Sequence, residues 1–383
     1  MKLVEVHVLQ NVVPANLNRD DTGSPKSAVF GGFRRARVSS QSQKRAVRQA
    51  LSGLLAPDDT AVRTRKLISA LTARLVESGK EEPEATLAAQ AALEGIGLGV
   101  DDDDETEYLL FMGQREIKRL ADLILAHWDT LMTLSQSGAE GEGKEKKKKA
   151  KAKVPTELKK DFGTVFDGGR AVDLAMFGRM LADRPEWNVD AASQVAHAIS
   201  THKVEREFDF YTAVDDLNPK EETGAGMMGD VEFYSATLYR YANVNLEQLL
   251  SNLQGDTDLA RRGIEAFIRA FVMTLPSGKQ NTFAAHNPPD YVAVTVREGD
   301  PRNLANAFAK PVWRGKNGVV AVSVTAFDQY WGKVNEAYGD SALRTVHVDL
   351  TDSELENSGV RVRNFDEAVR EVMQDVATWL EGV

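Results

Sequence analysis

The chain has 383 residues, 42% of them hydrophobic, and a formal net charge of −10, enough for two or three domains around a sizeable core. It contains no cysteine, which excludes a disulfide frame, a thiolate metal site and a cysteine nucleophile. No run is long and apolar enough to span a bilayer and the chain opens on a strand-like segment, so the expectation is a cytoplasmic protein with no signal peptide and no membrane partner.

Leu3 to Leu9 is rich in β-branched and apolar residues and predicts a buried first strand. A basic segment follows. Between Asp21 and Asp58 there is no acidic residue, while Lys26, Arg34, Arg35, Arg37, Lys44, Arg45 and Arg48 all carry positive charge. An acidic chain that keeps one long basic stretch reserves it for an anionic partner. Ser40-Gln41-Ser42-Gln43 fits a capping box, with the Ser40 hydroxyl on an orphan N–H and Gln43 reaching back. Past that cap, Gln41, Lys44, Arg45 and Arg48 share one helical face. Val47, Ala50, Leu51 and Leu54 form another that can meet a core. Free N–H groups at a helix start, flanked by serines and cations, make a phosphate-binding surface. A solvated basic face is the plain alternative. The glycines just upstream and the missing counter-charges favour phosphate.

From about Val62 the pattern turns to helices. Leu67, Ile68, Leu71 and Leu75 make one stripe, Ala85–Leu93 has high helix propensity, and Tyr108–Leu134 reads as one long helical stretch. Asp101–Glu105 is an acidic, solvated loop, and Ser137–Lys153 is a low-complexity loop that cannot build a core. Ser193–Val204 suggests a strand. Phe208–Leu217 and Val231–Val244 read as two long strands around a polar, glycine-containing turn, Lys220–Gly229. Together they would make a projecting arm. Leu246–Leu253, Leu259–Leu275, Asn303–Ala309, Phe327–Tyr338 and Phe365–Leu380 are helical in pattern, with strands ending at Val296 and at Leu350. Strands from both ends around a helical insert imply an α+β chain.

Several motifs are weaker than they look. Gly224–Gly229 matches G-x-G-x-x-G, but a polar stretch precedes it and a strand follows, the wrong context for a dinucleotide turn. The glycines instead let a loop tip bend, which exposes Met227 and Met228 to wedge against bases or to pack on a neighbouring protein. Phe210 and Tyr211 are an aromatic pair suited to a core or, on an arm, to stacking on bases. Asp215 and Asp216 point apart on a strand and read as structural. His197 and His202 face opposite sides of an extended segment, which argues against a shared metal or acid–base site. There is no HExxH, P-loop or G-x-S-x-G motif, and no cofactor is expected.

The stretches "LNRDD" (from Leu17) and "AVFGGFRRARVSSQSQKRA" (from Ala28), then Phe208–Leu217 and "PSGKQNTFAAHNPPDYVAVTV" (Pro276–Val296), resemble CasC, the backbone subunit of the type I-E CRISPR Cascade complex. The resemblance spans most of the chain outside roughly 53–154. It implies an RRM-like (ferredoxin-like) palm over 1–52, 155–199 and 234–383, a helical fingers insert over 53–154 with a disordered loop at 137–153, and a β-hairpin thumb at 200–233. It also implies a strand ending in Gly178-Arg179-Met180. The implied partners are CRISPR RNA, target DNA through the guide, copies of the chain in a filament, and other Cascade subunits. Asn18, Arg19, Lys26, Ser39, Ser40, Gln41, Lys44 and Arg48 would hold guide phosphates, and Met180, Phe210, Tyr211 and Met228 would contact bases. Lys146, Lys147, Lys148 and Lys149 correspond regionally to finger lysines that hold DNA, or form a solvated tether. Related backbone subunits of other CRISPR types cut RNA with a loop aspartate. A metal-dependent ribonuclease using Asp20 or Asp21 is therefore the alternative to a non-catalytic subunit in which these residues fix the basic loop.

Overall fold

The computed structural model describes residues 1–101, 103–137, 155–214 and 225–382. Its strands are β1 (Lys2–Ala15), β2 (Ser27–Phe30), β3 (Phe33–Val38), β4 (Ala61–Thr64), β5 (Leu110–Gly113), β6 (Ser193–Val195), β7 (Ala198–Ser200), β8 (Glu207–Val214), β9 (Ala225–Asn245), β10 (Tyr291–Glu298), β11 (Ala342–Asp349) and β12 (Val360–Arg361). Its helices are α1 (Ser40–Leu54), α2 (Leu67–Glu77), α3 (Glu82–Gly95), α4 (Gln114–Ala126), α5 (Trp128–Ser137), α6 (Thr156–Gly163), α7 (Val172–Phe177), α8 (Leu246–Asn252), α9 (Thr257–Met273), α10 (Gln280–Phe283), α11 (Gly318–Tyr338) and α12 (Phe365–Glu381). Met1–Leu51, Ser193–Glu247 and Arg261–Val383 form one compact unit, and Ser52–Ala192 with Gln248–Ala260 form the other. The chain is α+β.

The first unit is built on a sheet ordered β12-β11-β10-β1-β9-β7-β3-β2, with β6 and β8 also pairing with β9. β1 lies at its centre, antiparallel to β10 and to β9. It is buried continuously from Leu3 to Gln10 because helices cover both faces, which is why it reads as an unbroken apolar run. On one face, Leu9, Tyr239, Tyr291 and Phe327 cluster with Trp331 of α11. On the other, Arg240 of β9 donates to the Phe271 carbonyl of α9 and to Gln43 of α1. Arg344 of β11 ties α12 to that face through Glu371 and Asp375. Of the polar residues buried in β1, Glu5 accepts from Arg297 at 2.5 Å and from the Tyr241 hydroxyl at 2.6 Å.

β9 runs past the sheet. Tyr234 to Asn245 pair with β1, and Ala225 to Phe233 pair with β8. The arm expected from the sequence is thus an extension of a central strand, about 30 Å long at 3.3 Å per residue. Its strand starts at Ala225, so Met227 and Met228 are strand residues opposite Ala213 and Thr212, not parts of a turn as the glycines suggested.

In the second unit, Leu67, Ile68, Leu71 and Leu75 of α2 pack with Ala85, Ala88, Ala89 and Leu93 of α3 and Ile117, Leu120 and Ile124 of α4. Three expectations are corrected here. Tyr108–Leu134 is not one helix: Leu110–Gly113 pairs antiparallel with Ala61–Thr64, α4 then starts, and the chain breaks at His127 before α5. The residues before Gly178 are a helix, α7, rather than a strand. The unit also extends to Ala192 and takes in 248–260, whereas 155–192 was expected to belong to the palm. Pairing of β4 with β5 across some fifty residues leaves no periodic trace in either segment.

Candidate nucleic-acid interface

The start of α1 is assembled from four segments of the first unit. Ser39 is the cap: its hydroxyl accepts from the Ser42 N–H at 3.3 Å, one residue earlier than the sequence placed it. Gln43 does not reach back to that cap. It is buried and donates to the Ala196 carbonyl at 2.8 Å, while its oxygen accepts from Arg240. Asn18 Oδ1 accepts from the Ser39 N–H at 2.8 Å, and the Asn18 carbonyl accepts from the Lys26 N–H at 2.9 Å. Asn18 therefore fixes both the helix start and the basic loop. The Ser40 N–H meets His197 Nδ1 at 3.3 Å. Burial, with Arg37 and Lys26 nearby, holds His197 below the ordinary histidine range. Gln41 is exposed and Lys44 and Arg48 are half-buried on the outer part of α1. Val47 and Leu51 face the core, whereas Leu54, expected beside them, is exposed.

Next to this helix start is a cleft of ≈ 740 Å³, with Asn18, Arg19, Arg45, Gln49 and Lys279 in its walls. Lys279 has a left-handed backbone, φ 53°. A Cβ at Gly278 would lie 2.3 Å from the Leu17 carbonyl oxygen, so glycine is required for the 274–279 loop to come this close.

One of the seven cations turns away. Arg35 is fully buried on β3, donating to the carbonyls of Ser200 (3.1 Å), Thr201 (2.8 Å), Phe308 (2.8 Å) and Ala309 (3.3 Å). It is a structural bolt, so at most six of the seven charges in the basic stretch can meet an anion.

Asp20 is committed to its own loop. Its Oδ1 accepts from the Thr22 hydroxyl at 2.7 Å and from the N–H groups of Thr22 and Ser24 at 3.0 Å each. The Thr22 hydroxyl is the main reason its carboxyl lies below the usual carboxylate range. Asp21 is exposed beside it. Among the described residues, no group of three His, Cys, Asp or Glu side chains could hold a metal ion.

On the arm, Phe210 and Tyr211 do not act as a pair. Successive residues of a strand point to opposite faces. Phe210 is 66% exposed on the face that carries Phe208 and Met228, the latter opposite Thr212. Tyr211 lies over Gly229 on the other face, where a Cβ would come within 2.6 Å of its hydroxyl.

A family model described as CT1975-like protein matches residues 4–375. The chain belongs to the CT1975-like family. Among solved structures, this CT1975-like chain matches one in the "CRISPR RNA-guided surveillance complex, pre-nicking", 34% identical, TM-score 0.85, over 98% of this chain and 100% of that one. A second match, in a "CRISPR RNA-guided surveillance complex", is 29% identical with TM-score 0.75, over 97% and 99% of the two chains. The search of curated proteins finds no match.

In the second unit of the CT1975-like chain, Met180 is 86% exposed beside a buried anchor. That anchor is Arg179, which pairs with Glu116 at 2.9 Å and donates to the carbonyls of Trp187, Phe111 and Phe166. Glu116 in turn accepts from the N–H groups of Gly113 and Gly168, so the buried charges hold the 178–180 turn rigid. His197 and His202 are not brought together: His202 Nε2 accepts from the Thr237 N–H at the base of the arm. Asp215, Asp216 and Lys146 to Lys149 lie outside the described residues. No helix of the described residues is long and apolar enough to cross a membrane. Sequence reasoning left Arg45, Lys279 and His197 out of the site. Arg45 was legible from the basic stripe and Lys279 from its loop, but His197 carries no local signal, since it meets Ser40 from 157 residues away.

Proposed function

We propose that this chain is the non-catalytic backbone subunit of a CRISPR interference complex of the type I-E kind, copies of which polymerise along CRISPR RNA. The observation that carries this reading is the end-to-end match, 34% identical, to a chain of an RNA-guided surveillance complex. In the first unit the strand order β10-β1-β9-β7, with α1 after β1 and α9 after β9, supports the RRM-like palm. Arg19, Lys26, Ser39, Ser40, Gln41, Lys44 and Arg48, with Arg45 and Lys279 of the cleft, hold guide phosphates at the start of α1. Contacts to phosphate carry no sequence information, which suits a subunit that must accept any guide and leave its bases to pair with target DNA. Phe210, Tyr211, Met228 and Met180 contact bases, and Lys146 to Lys149 hold DNA. Three donors already occupy the Asp20 carboxylate, which favours a loop-fixing role over metal-dependent cleavage. The subunit would work in the cytoplasm beside other Cascade subunits. Ultraviolet absorbance of the purified protein, followed by sequencing of the co-purified RNA, tests the reading. CRISPR repeat and spacer sequences are expected, and a folded protein free of RNA after co-expression with a CRISPR array would reject it.

A further inference from the structure

β9 changes partner where it leaves the sheet of the first unit. Tyr234 is its last residue opposite β1, paired with Ala15, and from Phe233 outward it pairs with β8. β1 ends at Ala15, but Asn16 carries the connection one step further through its side chain. Asn16 is fully buried, and its Nδ2 donates to the Glu232 carbonyl at 2.9 Å and to the Gly23 carbonyl at 3.1 Å. Its Oδ1 has no partner among the described residues. A buried acceptor left unpaired is costly, so the two donated bonds are what this amide contributes. Glu232 lies at the base of the arm, opposite Phe208, and Arg206 holds its carboxylate at 3.0 Å. Phe233 beside it packs on Phe283 of α10, with ring centres 5.7 Å apart. Gly23, with φ 86°, belongs to the turn that Asp20 shapes: its N–H donates to the Asp20 carbonyl at 3.3 Å, and the Asp20 N–H donates to the Ser24 carbonyl at 2.9 Å. That turn lies between Arg19 and Lys26, and an Arg19–Pro25 bridge closes it.

We propose that Asn16 is a positioning residue that locks the arm to the 19–26 loop, so that the base-contacting arm and the phosphate-holding loop meet RNA as one rigid body. This rests on the function proposed above and names what sets its two contact regions against each other. A two-stranded ribbon is only marginally stable by itself, and beyond Tyr234 the arm has β8 as its strand partner. The amide of Asn16 stands in for the backbone donor that β1 no longer supplies. One planar amide group carries two N–H donors at a fixed angle, so holding two carbonyls with it also fixes each relative to the other; a serine or threonine hydroxyl has a single donor. Asn18 extends the same lock to the start of α1 through the Ser39 N–H at 2.8 Å. Asp20 takes its place in this chain, because the three bonds it accepts shape the turn whose carbonyl Asn16 holds. An arm held in place beforehand loses less freedom when it binds, and more of its stacking then appears as affinity.

The test uses the full chain, whose lack of cysteine lets nitroxide labels be placed at Val29→Cys on β2 and Asp209→Cys on β8. Both side chains are exposed. Double electron–electron resonance should give one narrow distance when Asn16 is intact. It should give a clearly broader distribution in Asn16→Asp, where a carboxylate faces the two carbonyls, and in Asn16→Ala, which removes both donors without adding a charge. RNA affinity then reads the lock through a double-mutant cycle. Phe210→Ala should weaken RNA binding about ten-fold with Asn16 present, the scale of one stacked base, and under about two-fold in the Asn16→Ala background. The salt slope of Asn16→Ala should match wild type, since no phosphate contact is removed. Losses that simply add would mean that Asn16 serves the fold alone and would overturn the inference, as would an equally narrow distance in both Asn16 variants. A broad distance with Asn16 intact overturns it without any substitution there. If wild-type protein binds no RNA, the backbone reading fails, while the distances still decide whether the lock exists.

Discussion

Arg35→Met separates structural from binding charge in the basic stretch. The guanidinium makes three good hydrogen bonds to buried carbonyls at 2.8–3.1 Å and two longer ones at 3.3 Å. Bonds from a charged donor contribute about 1.5–3 kcal/mol each, so the three short ones amount to roughly 5–9 kcal/mol gross. Relief of the buried charge returns several kcal/mol, leaving an expected loss of about 3 kcal/mol. That is a large part of the 5–15 kcal/mol by which domains of this kind are typically stable. The loss also unlocks the β2–β3 hairpin from the Ala309 segment. Urea unfolding followed by circular dichroism measures it, with Arg34→Met as control, because the Arg34 side chain is exposed one residue away and should change stability by under about 0.5 kcal/mol. RNA binding in the folded fraction of Arg35→Met should match wild type. A variant of wild-type stability with weakened RNA binding would refute the assignment and put the guanidinium on the RNA.

Lys44→Ala with Arg48→Ala should leave folding intact, weaken RNA binding and lower its salt slope by about 0.7 per lost phosphate contact. An unchanged slope in filter binding would mean that both side chains serve the protein alone. RNA incubated with the protein and Mg²⁺ or Mn²⁺ should stay intact, and Asp20→Asn should alter loop order without altering cleavage. Cleavage that Asp20→Asn or Asp21→Asn abolishes would reverse the non-catalytic assignment. On the arm, Phe210→Ala should cost base stacking on the face it shares with Met228. Tyr211→Ala should act through its packing on Gly229, so equal losses of RNA affinity from the two would mean that the faces are not distinct. Burial pushes His7 down to about 4 from 6.5. The unfolded chain therefore binds more protons between those values, and this contribution is complete above pH 6.5 and lost as pH falls toward 4. The unfolding free energy from urea titrations should drop across that window by up to about 1.4 kcal/mol per pH unit, and His7→Phe should flatten the fall.

The sequence alone determined whatever repeats locally. β1 was legible because both its faces are covered and its apolar run is unbroken, and α2, α3, α9 and α12 because each shows one periodic buried face. The basic stretch, its helix and the two strands of the arm were legible for the same reason. Tertiary structure decided everything that depends on a distant partner. Arg34 and Arg35 are chemically identical neighbours, and only the pleat of β3 against the carbonyls of Ser200, Thr201 and Phe308 sends one inward. The same alternation parts Phe210 from Tyr211. Leu110–Gly113 became a strand because Ala61–Thr64 pairs with it, and Ser40 acquired His197 because β7 and its leading turn lie beside the start of α1. Local periodicity records which face of an element is buried. It holds no information about which partner buries it, because that partner is chosen by chain folding over separations of some fifty to three hundred residues.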